Sequence, residues 1–221
     1  MGKIMQGILG GFSGKVGNVV GASWKGIDYM RIMPASVANP RTPGQVSQRT
    51  KFTLVLDFLQ PLLGFLRIGF KGYAEGMSAF NAAMSYNLLN AVTGDYPDQE
   101  ISYADVLVSR GSLRDVAEAT ASAEALQTIE VEWEDNSGLL NASADDNATL
   151  VVVNEAKGDI AVSLEAGARG DGLASITVPE AYVGDLVQVY LVFNTLESLL
   201  ATGGRESIAD SVYAGAVTVL A

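Results

Sequence analysis

From residue 102 to residue 221 the chain is cut into short apolar or alternating runs, separated by Gly, Asn, Asp, Ser and Pro. In "IEVEWED", Val131 and Trp133 alternate with Glu130, Glu132 and Glu134. A period of two puts the apolar set on one face of a strand and the glutamates on the other, wet face. The spacing predicts strands over 104–109, 126–133, 149–153, 160–166, 173–178, 186–193 and 213–220. Short strands with turn signals at this spacing predict an antiparallel β-sandwich.

Residues 1–97 read differently. "KVGNVVGASW" and "IDYMRIMP" predict two strands, with Lys25-Gly26 at the hairpin position between them. Gly17 and Gly21 then fall inside a strand, where glycine marks a bulge or a close backbone approach. Thr42, Pro43 and Gln45 form a helix start: an N-cap, a proline in the first helical position and the glutamine of a capping box. That helix should run to about residue 59, before Pro61. Phe52, Val55, Leu56 and Leu59 share its apolar face, with Gln45, Arg49 and Lys51 polar. A second helix is expected from 78 to about 92, carrying Phe80, Ala83, Met84, Asn87 and Leu88. "TGDYPDQ" closes this half.

Ahead of the hairpin, Ile4, Met5, Ile8, Leu9 and Phe12 stand at helix-like spacing. Gly7, Gly10 and Gly11 weaken such a helix by roughly 1 kcal/mol each. The segment reads as an apolar arm in need of a surface. The expected fold class is therefore α+β. A glycine-rich β-hairpin and two helices occupy 1–97, and an acidic antiparallel sandwich occupies 98–221. Trp133, with Tyr190 in "VQVYLVF", resembles the core of an immunoglobulin-like sandwich without its disulfide.

The composition removes much chemistry. With no Cys and no His, disulfides, thiol nucleophiles, Ser-His-Asp triads and His-ligated metals are excluded. The glycines of "GGFSGKVGNVVGASWKG" do not make a phosphate loop. Only three residues separate Gly10 from Gly14-Lys15, Val16 replaces the metal-binding hydroxyl, and a strand follows where a helix should begin. Glu130, Glu132, Glu134, Asp135, Asp145 and Asp146 suit a solvated strand face better than a calcium or acid/base site. Arg169-Gly170-Asp171 suits a hairpin turn better than an adhesion motif. No cofactor, metal or small-molecule substrate is expected. No apolar run approaches the ~20 residues of a membrane-spanning helix, and the N-terminus lacks a signal peptide and a myristoylation pattern. Synthesis in the cytoplasm is expected, with a virion or extracellular assembly as a possible destination.

Charge is unevenly placed. Residues 1–97 hold nine Lys/Arg and four Asp/Glu, net +5; residues 98–221 hold five and twenty-one, net −16. The basic set Lys15, Lys25, Arg31, Arg41, Arg49 and Lys51 would serve either an acidic face of another copy or nucleic acid. Only Trp24, Tyr29 and Phe52 offer stacking nearby, so the interface reading is favoured.

"GILGGFSGKVGNVVGASWKGIDYMR" followed by "NPRTPGQVSQRTKF", together with "ITVPEAYVGDLVQVYLVF" and "SVYAGAV", resembles an uncharacterised family common in Bacteroidota. The segment Asn39, Pro40, Arg41, Thr42, Gln45, Arg49 also resembles segments of phage-associated reading frames. The resemblance implies no activity and no catalytic residues. The expectation is a non-enzymatic, self-assembling structural protein, a virion component or filament subunit forming homo-oligomers or polymers. Its candidate interface is Ile4, Met5, Ile8, Leu9, Phe12, Arg41, Gln45 and Arg49. The alternative is a nucleic-acid-binding accessory protein. An enzyme acting on polysaccharide through carboxylates ranks behind both.

Overall fold

The computed structural model describes residues 3–4, 11–24, 27–36, 39, 41–195 and 204–221. The chain divides between Thr42 and Pro43 into two units. The smaller is an antiparallel sheet of β1 (Lys3–Ile4), β2 (Phe12–Val16), β3 (Val19–Trp24) and β4 (Ile27–Ile32), in chain order. The expected hairpin is there as β3 and β4, with Trp24 opposite Ile27. "KVGNVVGASW", expected as one strand, instead bends into β2 and β3. Gly17 sits in the turn between them at φ +59°, a backbone angle that glycine adopts without steric cost.

The larger unit opens with α1 (Pro43–Leu59), which begins and ends where the Thr-Pro-x-Gln start and Pro61 place it. Its buried residues are Val55, Phe58 and Leu59. Phe52, expected on that face, is 50% exposed. The buried stripe is centred on Val55, which leaves Phe52 at its margin. The chain then forms α2 (Leu63–Gly69) and α3 (Ala79–Asn90). Ser78 caps α3, its Oγ accepting from the Asn81 N–H at 3.2 Å. The sequence reading has two helices where the described residues form three α-helices. α2 was not expected, because "LGFLRIG" is short and apolar with no clear period.

A two-stranded ribbon follows, β5 (Val92–Thr93) with β6 (Glu100–Ile101). Residues 104–109, expected as a strand, start in a 3-10 turn (Tyr103–Asp105) and continue without a ladder. Their backbone groups bond side chains instead: Leu107 N–H to Asn87 Oδ1 at 2.9 Å and Val108 N–H to Ser211 Oγ at 2.9 Å. The remaining strands are β7 (Ala119–Glu124), β8 (Thr128–Trp133), β9 (Asn147–Asn154), β10 (Asp159–Ala168), β11 (Leu173–Thr177), β12 (Leu186–Asn194) and β13 (Val212–Thr218). They form two antiparallel sheets, ordered β10-β9-β12-β13 and β11-β8-β7. β7 was not expected, since "ATASAE" alternates only between alanines and small or acidic residues.

The larger unit has two cores, one on each face of the four-stranded sheet. Leu150 and Val152 of β9, with Val189, Leu191 and Phe193 of β12, pack against Ile129, Val131 and Trp133 of β8. Val151, Val153, Tyr190 and Val192 point the other way, into a core with Val55, Leu59 and Leu66 of the helices. Burial on both faces explains why these strands read as unbroken apolar runs. The helices and both sheets therefore belong to one unit, although the texture of the sequence changes near residue 97. Among the described residues no single helix is long and apolar enough to cross a membrane.

Candidate functional site

In the N-terminal sheet, register fixes the two faces. Lys15, Val20 and Arg31 stand in one cross-strand row, and Ala22 pairs with Tyr29 two positions along on the same face. The opposite face carries Phe12, Val16, Val19, Met30 and Ile32, with Gly14 and Gly21 between them. A Cβ on Gly21 would lie 2.1 Å from the Phe12 carbonyl oxygen. This is the close backbone approach expected of that glycine. Val16, Met30 and Ile32 are 52%, 70% and 78% exposed. A sheet normally buries an apolar face against a second layer; these three side chains are exposed.

The expected arm residues divide. Ile4 of β1 pairs with Phe12 of β2 across antiparallel strands, so these two ends of the arm are extended rather than helical. Met5, Ile8 and Leu9 lie outside the described residues, as does Lys25. Arg41 is exposed just ahead of α1, and Gln45 and Arg49, four residues apart, lie exposed on α1. Lys15 and Arg31 are exposed on β2 and β4, and Lys51 is half-buried on α1.

In the larger unit, the outer face of β11-β8-β7 is acidic and hydroxyl-rich. Its rows are Thr120–Glu132–Leu173, Ser122–Glu130–Ser175 and Glu124–Thr128–Thr177. The wet strand face read from "IEVEWED" is thus found on β8. At one end of this face lies a cleft of about 650 Å³, lined by Arg114, Glu118, Glu132, Glu134, Asp135 and Asn136 among others. Among the described residues no three Asp, Glu, His or Cys side chains are grouped to hold a metal ion.

Close to this cleft is a group that sequence reasoning missed. The Arg169 side chain is fully buried. Its Nε donates to Asp146 at 3.0 Å, its Nη1 to Asn136 Oδ1 at 2.7 Å and its Nη2 to the Arg114 carbonyl at 2.7 Å. The guanidinium stacks 3.9 Å from the centre of the Phe193 ring, and Trp133 Nε1 donates to the Arg169 carbonyl at 2.9 Å. Burial pulls the guanidinium below its ordinary pKa, and the Asp146 carboxylate opposes that shift. An arginine held this way is not displayed for adhesion, so Arg169-Gly170-Asp171 is a structural turn. Asp146, grouped from sequence with the solvated carboxylates, is a buried ion-pair partner. A second cluster also went unread: the guanidiniums of Arg110 and Arg205 stand 4.4 and 4.3 Å from the Tyr73 ring centre. These spatial pairings join residues far apart in the chain and leave no local sequence signal.

A search of curated proteins finds no significant match. The model of DUF6266, a family of unknown function, matches residues 11–215, and the chain belongs to that family.

Proposed function

We propose that the protein is a non-enzymatic structural subunit that assembles with copies of itself, as a virion component or a filament subunit. The observation that carries this reading is the N-terminal sheet, in which Val16, Met30 and Ile32 on the apolar face, and the outer strand β4 along its whole length, are exposed. Fully burying one large apolar side chain is worth about 1.5–3 kcal/mol, so several together favour association even after the entropy of ordering is subtracted. The larger unit supplies a body with two cores of its own. Its strand orders, β11-β8-β7 facing β10-β9-β12-β13, support an immunoglobulin-like reading of the sandwich, with Trp133 in its core.

The test is light scattering with negative-stain microscopy, on the full chain and on a chain beginning at Pro43. The shorter chain retains both cores. The full chain should form large assemblies as concentration rises, and the shorter one should stay monomeric and folded. A full chain that is monomeric at every concentration and ionic strength refutes the reading.

A nucleic-acid-binding accessory role is the second reading, favoured by exposed Lys15, Arg31 and Arg41 with Tyr29 nearby in sequence and register. Such binding weakens steeply with salt, because bound phosphates release counterions. A gel-shift titration that shows no complex at micromolar protein and low salt eliminates it.

A further inference from the structure

The N-terminal sheet has a second face, the basic one. Residues 1–42 hold five Lys/Arg and one acidic residue, net +4, whereas residues 43–221 hold nine Lys/Arg and twenty-four Asp/Glu, net −15. On the N-terminal sheet, Lys15 and Arg31 flank Val20, with exposed Tyr29 and Ile27 along β4. In the larger unit the two sheets differ outwardly. The outer face of β10-β9-β12-β13 is covered by helices. The outer face of β11-β8-β7 carries Glu124, Glu130 and Glu132 among hydroxyls, with Leu173 exposed beside them. The two faces are opposite in charge, and each carries exposed apolar side chains.

We propose that the basic face of the N-terminal sheet docks on the acidic outer face of β11-β8-β7 in a second copy of the chain. The proposal rests on the self-assembly reading and adds to it which surfaces meet. A contact between two different surfaces is heterologous, and repeating it from copy to copy gives a ring or an open filament rather than a closed two-fold dimer. Charged faces that meet in this way set register and partner choice. They are also screened by salt, since the Debye length falls from about 10 Å at 0.1 M to about 3 Å at 1 M.

Charge reversal in trans tests this on the full chain. One variant carries Lys15→Glu and Arg31→Glu; the other carries Glu124→Lys and Glu132→Lys. All four positions are exposed, and circular dichroism checks that both variants fold. Sedimentation velocity at low salt should show each variant dissociating at concentrations roughly tenfold or more above those needed to dissociate the wild type, because like charges now face each other. An equimolar mixture should re-form assemblies, because each reversed face then meets its complement on the other variant. A mixture that stays monomeric overturns the proposal, as does assembly of either variant at wild-type concentrations. In the latter case, loss of assembly in the chain beginning at Pro43 would leave the self-assembly reading intact, with the apolar face as its contact. A wild type that never assembles ends both. Binding of a single-stranded oligonucleotide that only the Lys15/Arg31 variant loses, by a wild type that is monomeric, would assign the basic face to nucleic acid and overturn the proposal.

Discussion

Strands β4 and β12 are both antiparallel and both carry large apolar residues, yet all six residues of β4 are exposed and eight of the nine in β12 are buried. β12 lies inside its sheet, between β9 and β13, with a second sheet on one face and helices on the other. β4 ends its sheet, and Met30 and Ile32 on its apolar side are exposed. The strands differ in layering and also in composition, since β4 carries Asp28 and Arg31 and β12 carries no charged residue. An edge strand of this length, with its outer backbone groups available, is a pairing template that proteins usually cover or blunt. The larger unit buries both faces of its four-stranded sheet, whereas the outer strand of the N-terminal sheet is exposed along its whole length.

The largest expected effect would break the buried side of this contrast. Arg169→Ala removes the guanidinium and leaves the Asp146 carboxylate buried without its partner. Breaking a buried pair from one side costs about 3–5 kcal/mol. The denaturant midpoint of the chain beginning at Pro43 should fall accordingly. A loss under 1 kcal/mol would mean that water or a rearranged side chain takes over the Arg169 bonds, and that this part of the unit is less tightly packed than its geometry implies.

A matched pair of truncations sharpens the contrast directly. Leu191→Ala, in the core between the sheets, should cost about 2–5 kcal/mol. Ile32→Ala, on the apolar side of β4, should change the stability of the dissociated chain by less than about 0.5 kcal/mol. Urea unfolding at concentrations below assembly measures both. A loss of 2 kcal/mol at Ile32 would show that the β4 face is already covered within one chain.

The same contrast explains what the sequence revealed. α1 was legible because the signals for its start and stop are local, a Thr-Pro-x-Gln start and then Pro61. β8 to β13 were legible because each carries an alternating or unbroken apolar run bounded by turn residues. α2 and β7 were not, since one is apolar all round and the other alternates in side chains as small as alanine and serine. The apolar run at 106–108 looked like a strand, but tertiary partners at Asn87 and Ser211 take its backbone bonds. For the candidate surfaces, sequence found the charge asymmetry and the glutamate alternation. The row joining Lys15 to Arg31 needs three strands in register, and the Arg169 network needs residues from 114 to 193, so only the fold could supply them.

Local caps give a smaller effect and probe whether helix ends matter to the larger unit. Ser78→Ala removes the acceptor for the Asn81 N–H, at a cost of roughly 1 kcal/mol. The loss should appear in the unfolding midpoint of the chain beginning at Pro43 and leave assembly unchanged. A change in assembly without a change in midpoint would place the start of α3 at a contact between copies, and would move part of the assembly surface into the larger unit.

The smallest effect is one of pH, and it separates the two regions by their carboxylates: twenty-four lie in residues 43–221 and one in residues 1–42. Asp185 precedes β12 and accepts hydrogen bonds from the Lys157 ammonium and from Asn154 Nδ2. These partners hold its carboxyl below the ordinary value of 3.8, the Lys157 bond first and the Asn154 bond second. A carboxyl whose pKa is lower folded than unfolded adds stability above the unfolded value, and that contribution is lost as pH falls through the folded value. Asp185→Asn should therefore lower the midpoint slightly at neutral pH, and the two proteins should converge as the medium is acidified well below 3.8. Because the Lys157–Asp185 pair is partly accessible to solvent, the neutral-pH gap should also shrink in high salt. Urea titrations of both proteins, at neutral and acid pH and at two salt concentrations, measure this. A gap that persists unchanged into acid would mean that Asp185 acts through the shape of its turn rather than through its charge, and the acid sensitivity of the larger unit would then have to lie in its other carboxylates.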